Sequence, residues 1–311
     1  MKRVLLTLIA LLFILSGASA HNPKAWRKMK GEISLLLVSD VGREGCYDQK
    51  VIANTMGEVA KSIKPHAIIA TGDTHHGKGV RSVNDSRWQS NYEAIYTHPK
   101  LKVDWYAALG NHEYQGSPNA LIDYSNINPR WHFPKRYYTT VFKRGGVTIR
   151  FVMLDTTPMI DRFRASKNPE ARQQNYNEQL EWLDGVLKEA KEDWVIVAGH
   201  HPIYAQTHKS DIERKDMQER LNSVLCNHIN VDVYLSGHVH SFQHFRVKDC
   251  DIDYVVNSSG GMGRAVKVTK GTQYCSPEAG FSVMGANKKE LSIYMLDKNG
   301  NILHKVNRRR E

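Results

Sequence analysis

The chain lacks several features that mark particular classes of protein. After residue 20 no apolar run is long enough to cross a bilayer, which takes about 20 residues. No internal repeat, low-complexity tract or linker rich in Ser, Gly and Pro divides the 311 residues. No serine or cysteine lies in a nucleophile elbow. We therefore expect one soluble domain over residues 21–311 that works without a covalent serine or cysteine nucleophile.

The one long apolar segment lies at the N-terminus. Lys2 and Arg3 precede the apolar residues 4–15, and small residues follow up to Ala20 in the manner of a peptidase cleavage site. This pattern predicts a signal peptide over residues 1–20 and a mature protein that is secreted or periplasmic. A retained N-terminal anchor is the alternative, although the apolar run is short for a membrane span.

Cysteine is scarce, with four residues at positions 46, 226, 250 and 275. None has the spacing of a zinc site, so metal binding through sulfur is not expected. Export would permit disulfides, and four cysteines allow three full pairings that the sequence does not distinguish. We favour Cys250 with Cys275, because both flank a predicted pair of strands.

Acidic residues are outnumbered, 32 against 43 basic ones, and the formal net charge is +11. Such a surface suits anionic partners, although it is equally typical of a basic soluble protein. No feature except the net charge favours nucleic acid as a partner. We therefore expect a phosphorylated small-molecule or protein substrate. We expect no nucleic-acid partner and no membrane contact after signal cleavage, and the oligomeric state stays open.

Buried strands alternate with helices along the chain. Apolar runs predict strands at 32–40, 67–72, 103–109, 138–143, 147–154, 194–198, 231–235, 242–247, 252–257, 280–285 and 289–296. Helical spacing predicts helices at 48–64, 87–97, 176–191 and 214–229, and the charged segment 161–175 is expected to be an exposed insertion. The alternation predicts an α/β fold with a mostly parallel sheet, and the late strands predict an antiparallel edge.

Five of the predicted strands end in side chains that can hold a metal ion. The inner candidates are Asp40, Asp73, Asn111, His200, His238 and His240, with His75 or His76 close by. Ligands of such folds gather outside the carboxyl ends of the strands, so these side chains should meet. Six are too many for one four-coordinate zinc, and they suit two ions that share a bridging carboxylate. Imidazole and carboxylate ligands suit iron, zinc or manganese.

Four short motifs give this pattern a family resemblance. Gly-Asp at 72–73, Gly-Asn-His-Glu at 110–113, Gly-His-His-Pro at 199–202 and Gly-His-Val-His at 237–240 resemble the calcineurin-like metallophosphoesterases. Asp40-Val41-Gly42, where most of that superfamily has Asp-x-His, is similar to the purple acid phosphatases of the short, tartrate-resistant type. The resemblance covers roughly residues 32–296. It implies a calcineurin-like sandwich of mixed β-sheets flanked by helices.

The resemblance also assigns roles to residues. It implies that Asp40, Asp73 and His240 hold a first ion, that Asp73 bridges, and that Asn111, His200 and His238 hold a second. His112 resembles the family's catalytic histidine, which steadies the phosphoryl oxygens or protonates the leaving group. The family has a second histidine nine residues after the Gly-His ligand, and the nearest here is His208, eight after His200.

One position departs from the family pattern. The family's Gly-Asp-x-x-Tyr motif supplies a tyrosinate to ferric iron and gives the purple colour, whereas this chain has His76 at the tyrosine position. A neutral imidazole stabilises ferric iron less than a phenolate and removes the charge-transfer band. We expect His76 to ligate the first ion, with His75 as the alternative, in a weakly coloured centre of iron with zinc, manganese or a second iron.

These interpretations predict an exported, dinuclear metal-dependent phosphomonoesterase of the acid phosphatase kind. A hydroxide that bridges the two ions would attack phosphorus in line. A phosphodiesterase or nucleotide pyrophosphatase on the same metals is one alternative, and a non-catalytic binding module that retains the fold is another. Arg264 is a further candidate contact for phosphate, and Asp155, which also ends a strand, is interpreted as structural.

Overall fold

The computed structural model describes residues 22–166, 169–209 and 211–310. The predicted signal peptide over residues 1–20 lies outside these ranges. Within them, no helix combines the length and the apolar character that a membrane crossing requires.

The described residues form fourteen strands in two sheets. The strands are β1 Ile33–Val38, β2 Ala67–Ala70, β3 Asp104–Ala107, β4 Trp131–His132, β5 Tyr138–Arg144, β6 Val147–Met153, β7 Trp194–Ala198, β8 Val233–Ser236, β9 Phe242–Val247, β10 Cys250–Val256, β11 Thr272–Ser276, β12 Gly280–Ala286, β13 Glu290–Asp297 and β14 Ile302–Arg309. The first sheet has the order β14-β13-β12-β1-β2-β3-β4, and the second has the order β11-β9-β10-β8-β7-β6-β5.

Short helices cover the outer faces of the sheets. The α-helices of the described chain are α1 Pro23–Arg27, α2 Gln49–Ile63, α3 Asn119–Tyr124, α4 Asp161–Arg164, α5 Pro169–Gln173, α6 Tyr176–Glu189, α7 Ile212–Met217 and α8 Ser223–Cys226. Single 3₁₀ turns occupy Pro99–Leu101, Glu113–Gln115 and Thr157–Met159, and π-helical turns occupy Gln89–Glu93 and Gln218–Asn222.

The sandwich of mixed sheets confirms the predicted fold class, but the expected predominance of parallel pairing is wrong. Strands β1 to β4 are parallel, as are β6, β7, β8 and β10. The late strands β12 to β14 continue the first sheet in antiparallel order, and β9 and β11 do the same for the second. The antiparallel strands thus flank both parallel blocks, because the late hairpins add to both sheets.

The main core lies between the sheets and under α2. Helix α2 buries Ile52, Met56, Val59 and Ile63, the i, i+4, i+7 and i+11 positions that place apolar side chains on one face. Burying each such side chain stabilises the fold by roughly 1.5–3 kcal/mol. The helix ends at Lys64, whose left-handed backbone turns the chain toward β2.

Two predicted helices are shorter than expected. In the segment 87–97, helical structure covers residues 87–93 and includes a π-helical turn, and Trp88, Tyr92 and Tyr96 pack against Trp105 and Trp131. The segment 214–229 is divided between α7, a π-helical turn and α8.

Most described residues of the segment 161–175 are exposed, as predicted. It contains α4 and α5, and Asp161 accepts a 2.7 Å hydrogen bond from Arg220. The ring of Phe163 lies 5.1 Å from the ring of His201, centroid to centroid. Within this exposed segment, Ala171 is buried and anchors α5 to the domain.

The disulfide joins Cys226 to Cys250, so the favoured pairing of Cys250 with Cys275 is wrong. Cys226 ends α8 and Cys250 begins β10, which pairs with β8 directly after α8. Cys275 lies on β11, which β9 separates from β10. Cys275 and Cys46 are free thiols.

Candidate metal centre

The carboxyl ends of parallel strands from both sheets point to one place. In the first sheet, Asp40 follows β1, Asp73 follows β2, and Asn111 lies in the loop after β3. In the second, His200 follows β7, and His238 and His240 follow β8. Of these side chains, all except Asn111 are buried. The topology therefore brings candidate ligands from distant parts of the chain to a shared edge, as expected for such sheets.

Strained backbone accompanies these residues. Positive φ angles occur at Asp40 (52°), Asp73 (52°), His238 (71°) and His240 (58°). A non-glycine residue in this region costs of order 1–3 kcal/mol, and such strain concentrates at functional sites. These four residues, which follow β1, β2 and β8, are held in a conformation that local preferences do not favour.

The glycine of Gly-Asn-His-Glu is required by close packing. A Cβ on Gly110 would lie 2.2 Å from Oδ1 of Asp73 and 2.6 Å from its backbone nitrogen. Any larger residue would therefore push the loop after β3 away from Asp73.

One group of candidate ligands contains Asp40, His76 and His240, whose ligand atoms lie within 4.8 Å of one another. Nε2 of His240 is 3.1 Å from Oδ1 of Asp40. His76 also belongs to a group with Asp73 and His112, and its Nε2 is 3.7 Å from Oδ2 of Asp73. His75 points elsewhere, since its buried ring packs against Trp88 at 4.4 Å.

A second group contains Asp40, Asp73 and His200. Nε2 of His200 lies 3.2 Å from Oδ2 of Asp73 and 3.1 Å from Nδ1 of His238. Asn111 has a buried Oδ1 without a hydrogen-bond partner in the described chain, and its neighbour His112 donates its backbone N–H to Oδ1 of Asp73 at 3.0 Å. Asp40 belongs to both of these groups, and Asp73 belongs to the second group and to the group with His76 and His112.

Backbone carbonyls fix the orientation of three imidazoles. Nδ1 of His200 lies 2.9 Å from the carbonyl oxygen of Thr71. Nδ1 of His240 lies 3.1 Å from that of Met262, and Nδ1 of His112 lies 2.7 Å from that of Gly77. A carbonyl can only accept, so Nδ1 carries the proton and Nε2 is directed toward the carboxylates. Outer hydrogen bonds of this kind set the tautomer of metal-binding histidines.

The charges of His200 and Asp73 are strongly coupled. Burial lowers the pKa of His200, but Asp73 and Asp40 outweigh it and raise that pKa to about 9. Burial raises the pKa of Asp73, but His200 outweighs it and holds that pKa well below its usual range. The buried carboxylates therefore require positive charge beside them, and bound cations would displace the imidazole proton.

Glu113 organises the loops without belonging to the candidate ligands. Its buried carboxylate accepts backbone N–H bonds from Gly110 at 2.7 Å, from Asp73 at 3.0 Å and from His75 at 3.0 Å. It thereby ties the loop after β3 to the loop after β2. The only signal in the sequence was its place at the end of Gly-Asn-His-Glu.

His112 lies at the edge of the site and belongs to the group with Asp73 and His76. Its Nε2 is 3.8 Å from Oδ2 of Asp73, and its ring stacks on that of His76 at 3.7 Å. His208 is exposed and belongs to none of the candidate ligand groups among the described residues. The next residue, Lys209, reaches the cluster instead, with Nζ 2.8 Å from Nε2 of His238.

Two further side chains that the sequence did not indicate contact the cluster. Glu213 of α7 places Oε2 2.8 Å from Nε2 of His238, and Arg43 places Nη1 2.9 Å from Nδ1 of His76. Glu213 lies on a segment without a recognisable motif, and Arg43 directly follows Asp40-Val41-Gly42. Their positions depend on the path of a loop and on a short helix, which apolar periodicity does not report.

His201 forms a further group of possible ligands with His200 and His238. His201 is buried, with Nδ1 2.8 Å from Oγ1 of Thr156. Asp155 is buried outside the ligand groups and accepts a 2.5 Å hydrogen bond from Tyr114. Arg264 is exposed.

A cavity of about 340 Å³ opens beside Asn111. Its walls include the aromatic rings of Tyr114 and Phe163 and the guanidinium-bearing side chain of Arg162. The volume is within the range of small-molecule sites. The cavity therefore offers an apolar and basic space next to the second group of candidate ligands.

Comparison with known proteins agrees with this architecture. The sequence profile of the calcineurin-like phosphoesterases matches residues 33–242. Purple acid phosphatase 3 of Arabidopsis thaliana is 30% identical over 89% of this chain and 78% of its own length. Tartrate-resistant acid phosphatase type 5 of Oryctolagus cuniculus is 30% identical over 82% of both chains. The solved structure described as GAP50, the anchor in the inner membrane complex of Plasmodium, superimposes with a TM-score of 0.77 at 19% identity, covering 90% and 89% of the two chains.

The chain therefore belongs to the calcineurin-like phosphoesterase family. Within it, its similar relatives include purple acid phosphatases and tartrate-resistant acid phosphatases, which confirms the resemblance read from the motifs. The likeness to GAP50, at 19% identity, shows the shared fold alone.

Proposed function

We propose that the chain is an exported, dinuclear metal-dependent phosphomonoesterase. The observation that carries the proposal is the meeting of carboxylates and imidazoles from both sheets within 4.8 Å. Several similar proteins are named acid phosphatases, and this supports a phosphoric ester as the substrate. The disulfide and the leader-like residues 1–20 support export, since disulfides persist in oxidising compartments.

The donor set fits a pair of borderline to hard cations. Oδ1 of Asp40 and Oδ1 of Asn111 are buried without a hydrogen-bond partner among the described residues, as expected for ligand oxygens. Nitrogen and oxygen donors without sulfur suit iron, zinc or manganese. In this proposal Asp40, Asp73, His76 and His240 hold one ion, and Asp73, Asn111, His200 and His238 hold the other. Two such ions, when bound, supply Lewis-acid stabilisation and lower the pKa of water toward neutrality.

The chain's own groups position the ester and its leaving group. Because Nδ1 of His112 donates to the carbonyl of Gly77 at 2.7 Å, its Nε2 is left to hold a proton for the departing oxygen. We place the leaving group in the cavity beside Asn111, whose aromatic and basic walls suit a ring or an anionic group. Asp73 orients the same loop by accepting the backbone N–H of His112.

The test compares initial rates on p-nitrophenyl phosphate and on bis(p-nitrophenyl) phosphate with metal-supplemented protein. We expect the monoester to react faster, and we expect Asn111→Ala and His112→Ala each to lose about 10²-fold or more in rate. Asn126→Ala, a change at an exposed asparagine, is the matched control. A faster diester reaction would favour the phosphodiesterase, and full activity in both variants would favour a binding module.

A further inference from the structure

Two cationic side chains border the candidate metal centre, one beside each group. Arg43 has Nη1 2.9 Å from Nδ1 of His76 and Nη2 3.4 Å from Nδ1 of His240. Lys209 has Nζ 2.8 Å from Nε2 of His238 and 3.2 Å from its backbone carbonyl. In the part of the chain that the structure describes, neither cation forms a salt bridge with a carboxylate.

Both oxygens of the neighbouring carboxylate, Glu213, already have partners other than Lys209. Oε2 of Glu213 lies 2.8 Å from Nε2 of His238, and its Oε1 accepts a 2.6 Å bond from Arg162. Arg43 is also poorly satisfied, since its buried Nε has no hydrogen-bond partner in the described residues. A half-buried cation without an anion is unfavourable, so the charge of both side chains is left for an external anion.

We propose that Arg43 and Lys209 form a cation clamp that binds the phosphoryl oxygens of the substrate from the two sides of the metal centre. The inference rests on the proposed phosphoesterase function. Lys209 stands nine residues after His200, so it takes the place for which the sequence suggested His208. A guanidinium binds two oxygens through a planar fork, and an ammonium acts as a compact point charge.

The clamp also indicates a substrate class. A monoester carries two negative charges and three non-bridging oxygens near neutral pH, whereas a diester carries one charge and two such oxygens. Two cations, one beside each group of candidate ligands, therefore favour the monoester through charge and through the extra oxygen. In this arrangement Lys209 binds a phosphoryl oxygen of the substrate through its positive charge, and His112 remains the group that transfers a proton.

The experiment measures orthophosphate binding to the metal-loaded protein by calorimetry, together with metal content by elemental analysis. Lys209→Met and Arg43→Met should each weaken orthophosphate binding about 10- to 100-fold, the loss expected for one charge-assisted hydrogen bond, with metal content unchanged. Lys209→Arg should recover part of the affinity. The remote, exposed Lys188→Met should match the parent and serves as the control.

Orthophosphate affinity equal to the parent's in both methionine variants would overturn the clamp, and so would loss of metal in step with loss of affinity. A loss of orthophosphate affinity in His208→Ala with none in Lys209→Met would overturn it as well. A parent that binds metal but no orthophosphate would also overturn it. If orthophosphate binding behaves as expected but neither ester is hydrolysed, the clamp stands and the proposed phosphoesterase function fails.

Discussion

The side chain at position 76 decides the colour that we expect of an iron-loaded centre. His76 lies with Asp40 and His240 in one candidate group, and its ring stacks on His112. An imidazole has no phenolate oxygen to donate charge to ferric iron. The departure at this single residue therefore separates the expected spectrum from that of a tyrosinate centre.

His76→Tyr should give the iron-loaded protein a strong visible absorption band that the parent lacks, because it restores a phenolate beside the first group. His76→Phe is the matched control, since it has the ring without the oxygen. Absorption spectra at equal iron content make the measurement. A strong band in the parent, or none in the tyrosine variant, would contradict the assignment of His76.

Asp155 makes stability depend on pH. Burial raises its pKa from 3.8 to about 7, although the bonds from Tyr114 and the charge of Arg136 oppose the shift. The folded protein then keeps a proton that the unfolded chain loses above the ordinary pKa. This contribution to stability is complete at low pH and is lost as the pH rises through the folded pKa.

Asp155→Asn should therefore gain stability relative to the parent as the pH rises from about 4 to about 7, by at most about 1.4 kcal/mol for each pH unit. Urea unfolding at several pH values gives the difference. Asp123→Asn, at an exposed carboxylate, should show no such trend. A constant difference between parent and Asp155→Asn would refute the buried protonated carboxyl.

At the scale of elements, strong apolar patterns could be predicted and packing-dependent breaks could not. The stripe of Ile52, Met56, Val59 and Ile63 defines α2, and continuous apolar runs define β1 and β7. The helix predicted at 87–97 extends only to Glu93 and contains a π-helical turn, which apolar spacing does not report. The disulfide partner depended on strand order, which the spacing of cysteines does not contain.

The disulfide should stabilise the link between α8 and β10. Cys226 and Cys250 are 24 residues apart, and closing a loop of this size in the unfolded chain is worth about 2–4 kcal/mol. The double variant Cys226→Ser/Cys250→Ser should lose about that much unfolding free energy in non-reducing urea titrations. Cys46→Ser/Cys275→Ser, at the two free thiols, is the control and should lose less. A larger loss in the control pair would show that the pairing is different in solution.

At the scale of the whole molecule, the sheet order explains why the candidate ligands could be predicted as a set. Asp40 and Asp73 follow strands of the first sheet, and His200 and His238 follow strands of the second. Their meeting follows from parallel strands sharing a carboxyl edge. Arg43, Lys209 and Glu213 were missed because their approach depends on loop paths. The metal roles themselves stay predictions.

Because both sheets contribute, bound metal should hold them together. Chelation should lower the unfolding temperature, since ligand at a thousandfold excess over its Kd stabilises the folded state by about 4 kcal/mol. Differential scanning calorimetry with and without chelator makes the comparison. Asp73→Asn should be insensitive to the chelator, and asparagine tolerates the positive φ of this position. Equal transitions for the parent in both buffers would contradict the coupling.

The most direct measurement is the rate of phosphate release from a monoester as metal is added back to the metal-free protein. The account predicts no turnover without metal and a rate that rises until about two ions are bound per chain. Full activity in the presence of excess chelator, or a plateau after a single ion, would contradict the dinuclear centre.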